Sequence, residues 1–357
     1  MNTEQFLQWL ESQNLLSTAK NNAIYLKKIL TDCLAINKEE EFLIIGDTGF
    51  DNKPIAPIIA GAYYFAAKDL GLDVRTVIQK PKLKGEHADE EITSALGNLN
   101  RRNVIAMTLS TKLGRIKELG QSFRSFSYEN YHRFTSTTSL GKLSIEQLPF
   151  FIKAINLNYE EMRKKGEIIK QILDSGKEAH VTTKAGTDLY MGIDRKEAIN
   201  NCGYYRKPRT GGNIPAGEVY TPPRWKNVEG KVVIDGSSAQ RDGTLVIKEP
   251  ITLTIEKDEV VDIQGGDEAD SLQKSLDWAY NKAKHPWGIK RVGELGIGIN
   301  PNANIVGATI IDEKSLGTAH IAMGSNYWFG GTIYAIIHFD QVFRNPKIYI
   351  DDKELEV

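Results

Sequence analysis

The residues best suited to chemistry crowd into positions 293–340, where ELGIG occupies 294–298, GTAHIAMG 317–324 and IHFD 337–340. Glu294, His320, His338 and Asp340 thus stand among apolar residues punctuated by glycine. Charged groups are rarely buried unless they are paired or bound to metal, so this density of potential ligands calls for a partner. If TIYAIIHFD (332–340) is a strand, His338 and Asp340 project to the same face. Neutral imidazole and carboxylate are ligands for first-row metals. Taken alone, an H-x-D pair reads equally well as a strand end meeting solvent. His320 lies in the alternating run 318–322, flanked by small residues that let backbones approach closely. Tyr327 follows in SNYWFGG (325–331). Upstream, GGNIPAGEVYTPP (211–223) sets Glu218 in a segment too rich in Gly and Pro for a helix; locally, a surface loop with a solvated glutamate accounts for it as well.

These residues need elements to hold them. Residues 4–35 carry helical apolar spacing through Phe6, Leu7 and Leu10, then Leu26, Ile29, Leu30 and Cys33. A short strand over 42–45, a buried helix over 54–70, a strand over 73–78, a helix over 89–96 and a strand over 103–109 follow. Such alternation predicts an open parallel α/β sheet. The hydroxyl-rich stretch 133–141 reads as a turn cluster, or as a loop turning Arg133 toward the second domain. Residues 144–176 look helical, with Gly176 as a C-cap. Beyond 178 the texture changes to alternating runs at 179–184, 187–193, 231–235, 244–248, 251–256 and 259–263, with Asp242-Gly243 and Lys257-Asp258 at turns. One helix over 268–284 interrupts them. The expected fold is therefore an N-terminal open parallel α/β domain, residues 1–150, followed over 151–357 by a mainly antiparallel β, barrel-like, α+β domain that carries inward-pointing ligands.

Composition narrows the function. At 357 residues the chain is long enough for two cores, and its 41% hydrophobic and 25% charged content is ordinary for a globular protein. A net charge of −1 makes no electrostatic case for nucleic acid or an anionic membrane. Cys33 and Cys202, far apart, suggest no disulfide framework. No run approaches the roughly 18 apolar residues of a membrane span, and the N-terminus lacks the basic and apolar regions of a signal peptide; a cytoplasmic location is expected. GDTG at 46–49 is not followed by Gly-Lys-Ser/Thr, and Pro301 stands where a dinucleotide fingerprint needs its third glycine, so neither phosphate motif is complete. His87, His132, His180 and His285 have no ligand-like neighbours.

Four blocks, GGNIPAGEVYTPP, ELGIGINPNA, EKSLGTAHIAMG with its following Asn-Tyr, and IIHFDQV, occur in an order that resembles the aminopeptidase T/aminopeptidase S family of dinuclear metallo-aminopeptidases (thermophilic metalloproteases); GTDLYMGI at 186–193 is similar to a further block. The resemblance implies metal ligation by Glu218, Glu294, His320, Tyr327, His338 and Asp340. It implies two divalent ions, Zn, Co or Mn, that hold a hydroxide and polarise a carbonyl, hydrolysis at the N-terminus of short peptides, and a homodimer. Glu294 would then bridge or flank the metals and shuttle a proton, and Tyr327 would ligate weakly or stabilise the oxyanion. A related group of the same architecture resembles mononuclear Fe(II) ring-cleaving dioxygenases acting on dihydroxypyridines. For that chemistry His320, His338 and Asp340 suffice as a facial triad. The chain is shorter than the peptidases between Tyr327 and His338, but its retention of both Glu218 and Glu294 sets the aminopeptidase first and the dioxygenase second.

Overall fold

The computed structural model describes residues 1–83, 85–120, 122–193 and 196–356. The chain forms two compact units, Met1–Tyr159 with Gly203–Ala216, and Glu160–Cys202 with Gly217–Val357.

The first unit is built on a five-stranded parallel sheet in the order Asp73–Gln79, Glu41–Asp47, Val104–Thr108, Arg133–Thr137, Gly211–Asn213. Two of its inner strands, Glu41–Asp47 and Val104–Thr108, are largely apolar and buried, as expected where a parallel sheet is covered on both faces. The covering helix Ile55–Asp69 is apolar around most of its girth and buries most of its residues. Gly61 lets the N-terminal helices come close: a Cβ there would meet Leu10 Cδ1 at 2.8 Å and Ala19 Cβ at 2.9 Å. Arg133–Thr137 is a strand rather than the loop expected from its hydroxyls, because β-branched Thr135 and Thr137 pack well on a pleated surface. Arg133 pairs with Glu40 at 2.6 Å. The last strand comes from the segment 203–216, far along the chain from the other four.

The second unit holds two seven-stranded antiparallel sheets. One runs Glu259–Gln264, Ile251–Glu256, Val228–Ile234, Asp188–Gly192, Glu178–Thr182, Lys347–Ile350, Lys353–Glu354. The other runs Thr244–Val246, Ser237–Ala239, His338–Arg344, Thr318–Gly324, Val292–Gly298, Glu218–Thr221, Ile199–Asn201. Both remain open at their edges among the described residues, so the barrel-like expectation gives way to two open sheets. The helix Asp267–Lys282 buries the stripe Ala269, Leu272, Leu276 and Ala279. The strand expected over 332–340 begins only at His338. Among the described residues no helix is long and apolar enough to cross a membrane.

Candidate metal centre

Four neighbouring strands of the second antiparallel sheet carry five of the six residues singled out from the sequence. Register explains how they meet. Asp340 lies opposite Ala322, which lies opposite Glu294; His320 lies opposite Gly296; Glu218 lies opposite Gly298; His338 lies opposite Gly324. Directly paired residues share a face, as do residues two apart. The five ligand-type side chains therefore rise from one face, separated by Ala322, Gly296, Gly298 and Gly324. The opposite face presents Leu295, Ile297, Ala319, Ile321 and Phe343, all buried. At Gly296 the small residue is a steric necessity, since a Cβ would overlap Cε1 and Nε2 of the His320 ring. A register shift between Val292 and Glu294 marks a bulge that re-aims Glu294.

The ligand atoms converge. His320 Nε2 lies 3.2 Å from Glu294 Oε1 and 3.9 Å from Glu218 Oε2. His338 Nε2 lies 3.5 Å from Glu294 Oε2 and 3.2 Å from Asp340 Oδ1, the latter without hydrogen-bond alignment. Ligand atoms of Glu294, His320 and Asp340 all fall within 4.8 Å of one another. His338 Nδ1 lies 2.8 Å from the Ser325 carbonyl, to which it donates when it carries a proton. In the neutral ring that contact fixes the tautomer and turns the Nε2 lone pair toward the carboxylates, as in metal-binding histidines. His320 Nδ1 and Asp340 Oδ1 are buried with no hydrogen-bond partner among the described residues. Buried polar atoms are rarely left unsatisfied, so these orphans, the pre-set imidazole and the mixed His/carboxylate donor set all fit a first-row metal.

Charge in the metal-free cluster follows from the same geometry. Burial opposes the proton on His320, but Glu294, Asp340 and Glu218 outweigh it and raise the imidazole to about 9. Burial likewise opposes charge on His338, yet Asp340, Glu294 and the Ser325 carbonyl lift it to about 10. For Asp340, burial is overcome by His338, His320 and Lys314, which hold the carboxyl well below the usual range. Burial pushes Glu294 up despite both imidazoles. Metal uptake must therefore displace imidazole protons.

Two further participants escaped the sequence. The strands Val292–Gly298 and Thr318–Gly324 are linked by a connection containing the short helix Thr309–Asp312. Directly after that helix, Glu313 and Lys314 reach the same cluster. Lys314, fully buried, donates from Nζ to Glu218 and to Glu313. Glu218 Oε1 also accepts from Asn201 Nδ2 at 3.0 Å. Burial raises Glu313 to about 8 against the pull of Lys314, whereas burial on Lys314 is outweighed by Glu218 and Glu313, which hold its proton more tightly than usual. The signal available was the charged triplet Asp312-Glu313-Lys314 immediately before an apolar glycine-bounded run. Tyr327 is 67% exposed and its ring packs edge-on to Tyr334. Its neighbour Trp328 packs edge-on against the His338 ring, with centroids 4.8 Å apart. Cys202 is a buried thiol, pushed up chiefly by burial.

A scaffold of one α/β unit and one antiparallel unit that bears a His/carboxylate cluster on a sheet face describes the class. Residues 27–356 match the family model NicX: 2,5-dihydroxypyridine 5,6-dioxygenase, and the chain belongs to that family. A 2,5-dihydroxypyridine 5,6-dioxygenase of Pseudomonas putida KT2440 is 27% identical over 203 residues, covering 54% of this chain and 57% of the relative. The chain thus spans a little over half the length of the curated relative it matches. The fold is similar to that of the solved 2,5-dihydroxypyridine dioxygenase from the same organism, with a TM-score of 0.74 at 18% identity over 94% of this chain and 95% of that one. AmpT from Thermus thermophilus is also similar in fold, with a TM-score of 0.59 at 14% identity over 95% and 98% of the two chains.

These matches overturn the leading functional expectation. The aminopeptidase, hydrolase and protease readings are replaced by a dioxygenase family. The blocks that suggested a peptidase encode the ligand-bearing strands and the glycines between them, which an AmpT-like scaffold can share without sharing a reaction.

Proposed function

We propose that this chain is a mononuclear Fe(II)-dependent ring-cleaving dioxygenase acting on a dihydroxylated pyridine. The observation that carries the proposal is the convergence of His320, His338 and Asp340 on one sheet face, in a chain whose family is that of a dihydroxypyridine dioxygenase. Two histidines and one carboxylate are the ligand set that leaves coordination positions open for substrate and oxygen. Bound there, Fe(II) supplies the one-electron chemistry that lets dioxygen react with an electron-rich aromatic ring.

The remaining residues have definable tasks. The Ser325 carbonyl orients His338. Glu294, whose pKa burial raises, holds at its Oε atoms a proton released by a ring hydroxyl. Trp328 and Phe329, both edge-on to His338, supply an apolar wall that excludes water beside a flat heteroaromatic ring.

The test is anaerobic reconstitution with Fe(II), followed by elemental analysis and oxygen uptake with 2,5-dihydroxypyridine. About one iron per chain with substrate-dependent uptake of oxygen is expected. Iron-loaded protein that consumes no oxygen with any dihydroxypyridine would overturn the proposed activity.

A further inference from the structure

The cluster contains two overlapping sets of potential ligands, and they differ in what already faces their carboxylates. Glu294, His320 and Asp340 form the first; Glu218, Glu313 and His320 form the second, again with ligand atoms within 4.8 Å of one another. In the first set the carboxylates face only imidazoles, which metal binding can deprotonate: His320 Nε2 lies 3.2 Å from Glu294 Oε1, and His338 Nε2 lies 3.2 Å from Asp340 Oδ1 without hydrogen-bond alignment. In the second, the carboxylates already hold a cation: Lys314 Nζ donates to Oε1 of Glu218 and to Oε1 of Glu313, and its side chain has no solvent exposure.

The lysine is fixed in place by the backbone. The Lys314 carbonyl accepts from Asn300 N–H at 2.8 Å and its own N–H donates to Ile311 at 3.1 Å. Gly298 lets this segment lie against the ligand strand, since a Cβ there would meet the Lys314 carbonyl carbon at 2.9 Å and overlap the Ser315 carbonyl oxygen. The segment that carries Lys314 is thus anchored to the ligand strand, and the side chain it presents is fully buried.

We propose that the Lys314 ammonium is a built-in occupant of the second cation position, and that it restricts this centre to one divalent metal. A dication entering between Glu218 and Glu313 would have to expel a buried, doubly hydrogen-bonded ammonium or share the space with it at a few ångströms in a low-dielectric interior, where like charges repel strongly. The proposal rests on the metal-centre reading above and deepens it, because it explains how a scaffold with enough carboxylates for two ions would hold one.

The test is metal stoichiometry of the full-length chain, independent of turnover. Wild type, Lys314→Gln, Lys314→Met and Lys314→Arg proteins would be titrated anaerobically with Co(II), bound metal counted by elemental analysis and spin coupling followed by electron paramagnetic resonance. The expected result is one equivalent for wild type and Lys314→Arg, and two coupled equivalents for folded Lys314→Gln or Lys314→Met. Lys314→Gln folded by circular dichroism but still holding one equivalent would overturn the inference and leave the proposed dioxygenase standing. If neither neutral variant folds, the wild-type titration decides: a second equivalent bound within tenfold of the first overturns it, and a single tight equivalent with none following supports it. A wild-type chain that binds no Co(II) would overturn the metal centre itself.

Discussion

The site depends on a few contacts that could not be exchanged for similar ones. Gly296 is the clearest, because its missing Cβ is the space in which the His320 ring lies. Gly296→Ala should push that imidazole from its position and weaken Fe(II) binding by about 10- to 100-fold, the usual effect of disturbing a ligand's support. The secondary structure should persist. Fe(II) titration with circular dichroism checks it, and undiminished iron affinity would contradict the role given to Gly296. A second single-residue prediction concerns the first unit. His132 is buried; its Nδ1 accepts from Asn103 N–H at 3.2 Å and its Nε2 has no partner among the described residues. Burial lowers its pKa to about 4. The unfolded chain, with its imidazole near 6.5, then takes up a proton more readily than the folded one. Stability from this group is complete above about pH 6.5 and falls as pH drops toward 4, by up to about 3 kcal/mol. In urea unfolding across that window, His132→Phe should show a flatter decline than wild type; parallel curves would remove His132 from the account.

At the scale of elements, the site is a problem of register. One residue of slip would turn every ligand to the apolar face, and the strands are held by pairing, by the bulge before Glu294 and by glycines that admit close neighbours. Gly298 is where the 313–315 segment meets its strand. Gly298→Ala should cost about 1–3 kcal/mol in urea unfolding, as overpacking does, and speed amide exchange at 314–316; unchanged stability and exchange would mean that the segment is not held by this contact. Much of this level was legible beforehand. Alternation and turn residues located the hairpin Ile251–Glu256/Glu259–Gln264 and the alternating run within Thr318–Gly324, and short apolar runs located three of the five parallel strands, Glu41–Asp47, Asp73–Gln79 and Val104–Thr108. What was not legible required the third dimension. Glu313 and Lys314 follow a helix of four residues, too short to carry periodicity. Arg133–Thr137 was hidden by hydroxyls that a turn and a strand share. The pairing of Gly211–Asn213 with Arg133–Thr137 joins segments about 75 residues apart, which no local pattern encodes.

Across the whole molecule, five of the residues that meet on one sheet face were readable from sequence, whereas the reaction was not. Glu218, Glu294, His320, His338 and Asp340 suit a metal by type and setting, but ligand types alone do not choose between reactions, and the two solved structures of similar fold carry different names. The metal should nevertheless register in global stability. All of its candidate ligands come from the second unit, and His320 meets His338 and Asp340 only when two strands pair, so the unfolded chain has no pre-assembled site and Fe(II) should bind the folded state selectively. At a free concentration 100 times Kd, binding adds about 2.7 kcal/mol. Scanning calorimetry under anaerobic conditions should show a transition that moves up with Fe(II) and returns with chelator. Hydrogen exchange should slow most in Val292–Gly298, Thr318–Gly324 and His338–Arg344, and least in the other antiparallel sheet of the same unit, which supplies none of the proposed ligands. A melt indifferent to both iron and chelator would mean that the cluster does not hold iron in the folded protein. Protection spread evenly over both sheets would place the binding energy elsewhere than on the ligand strands.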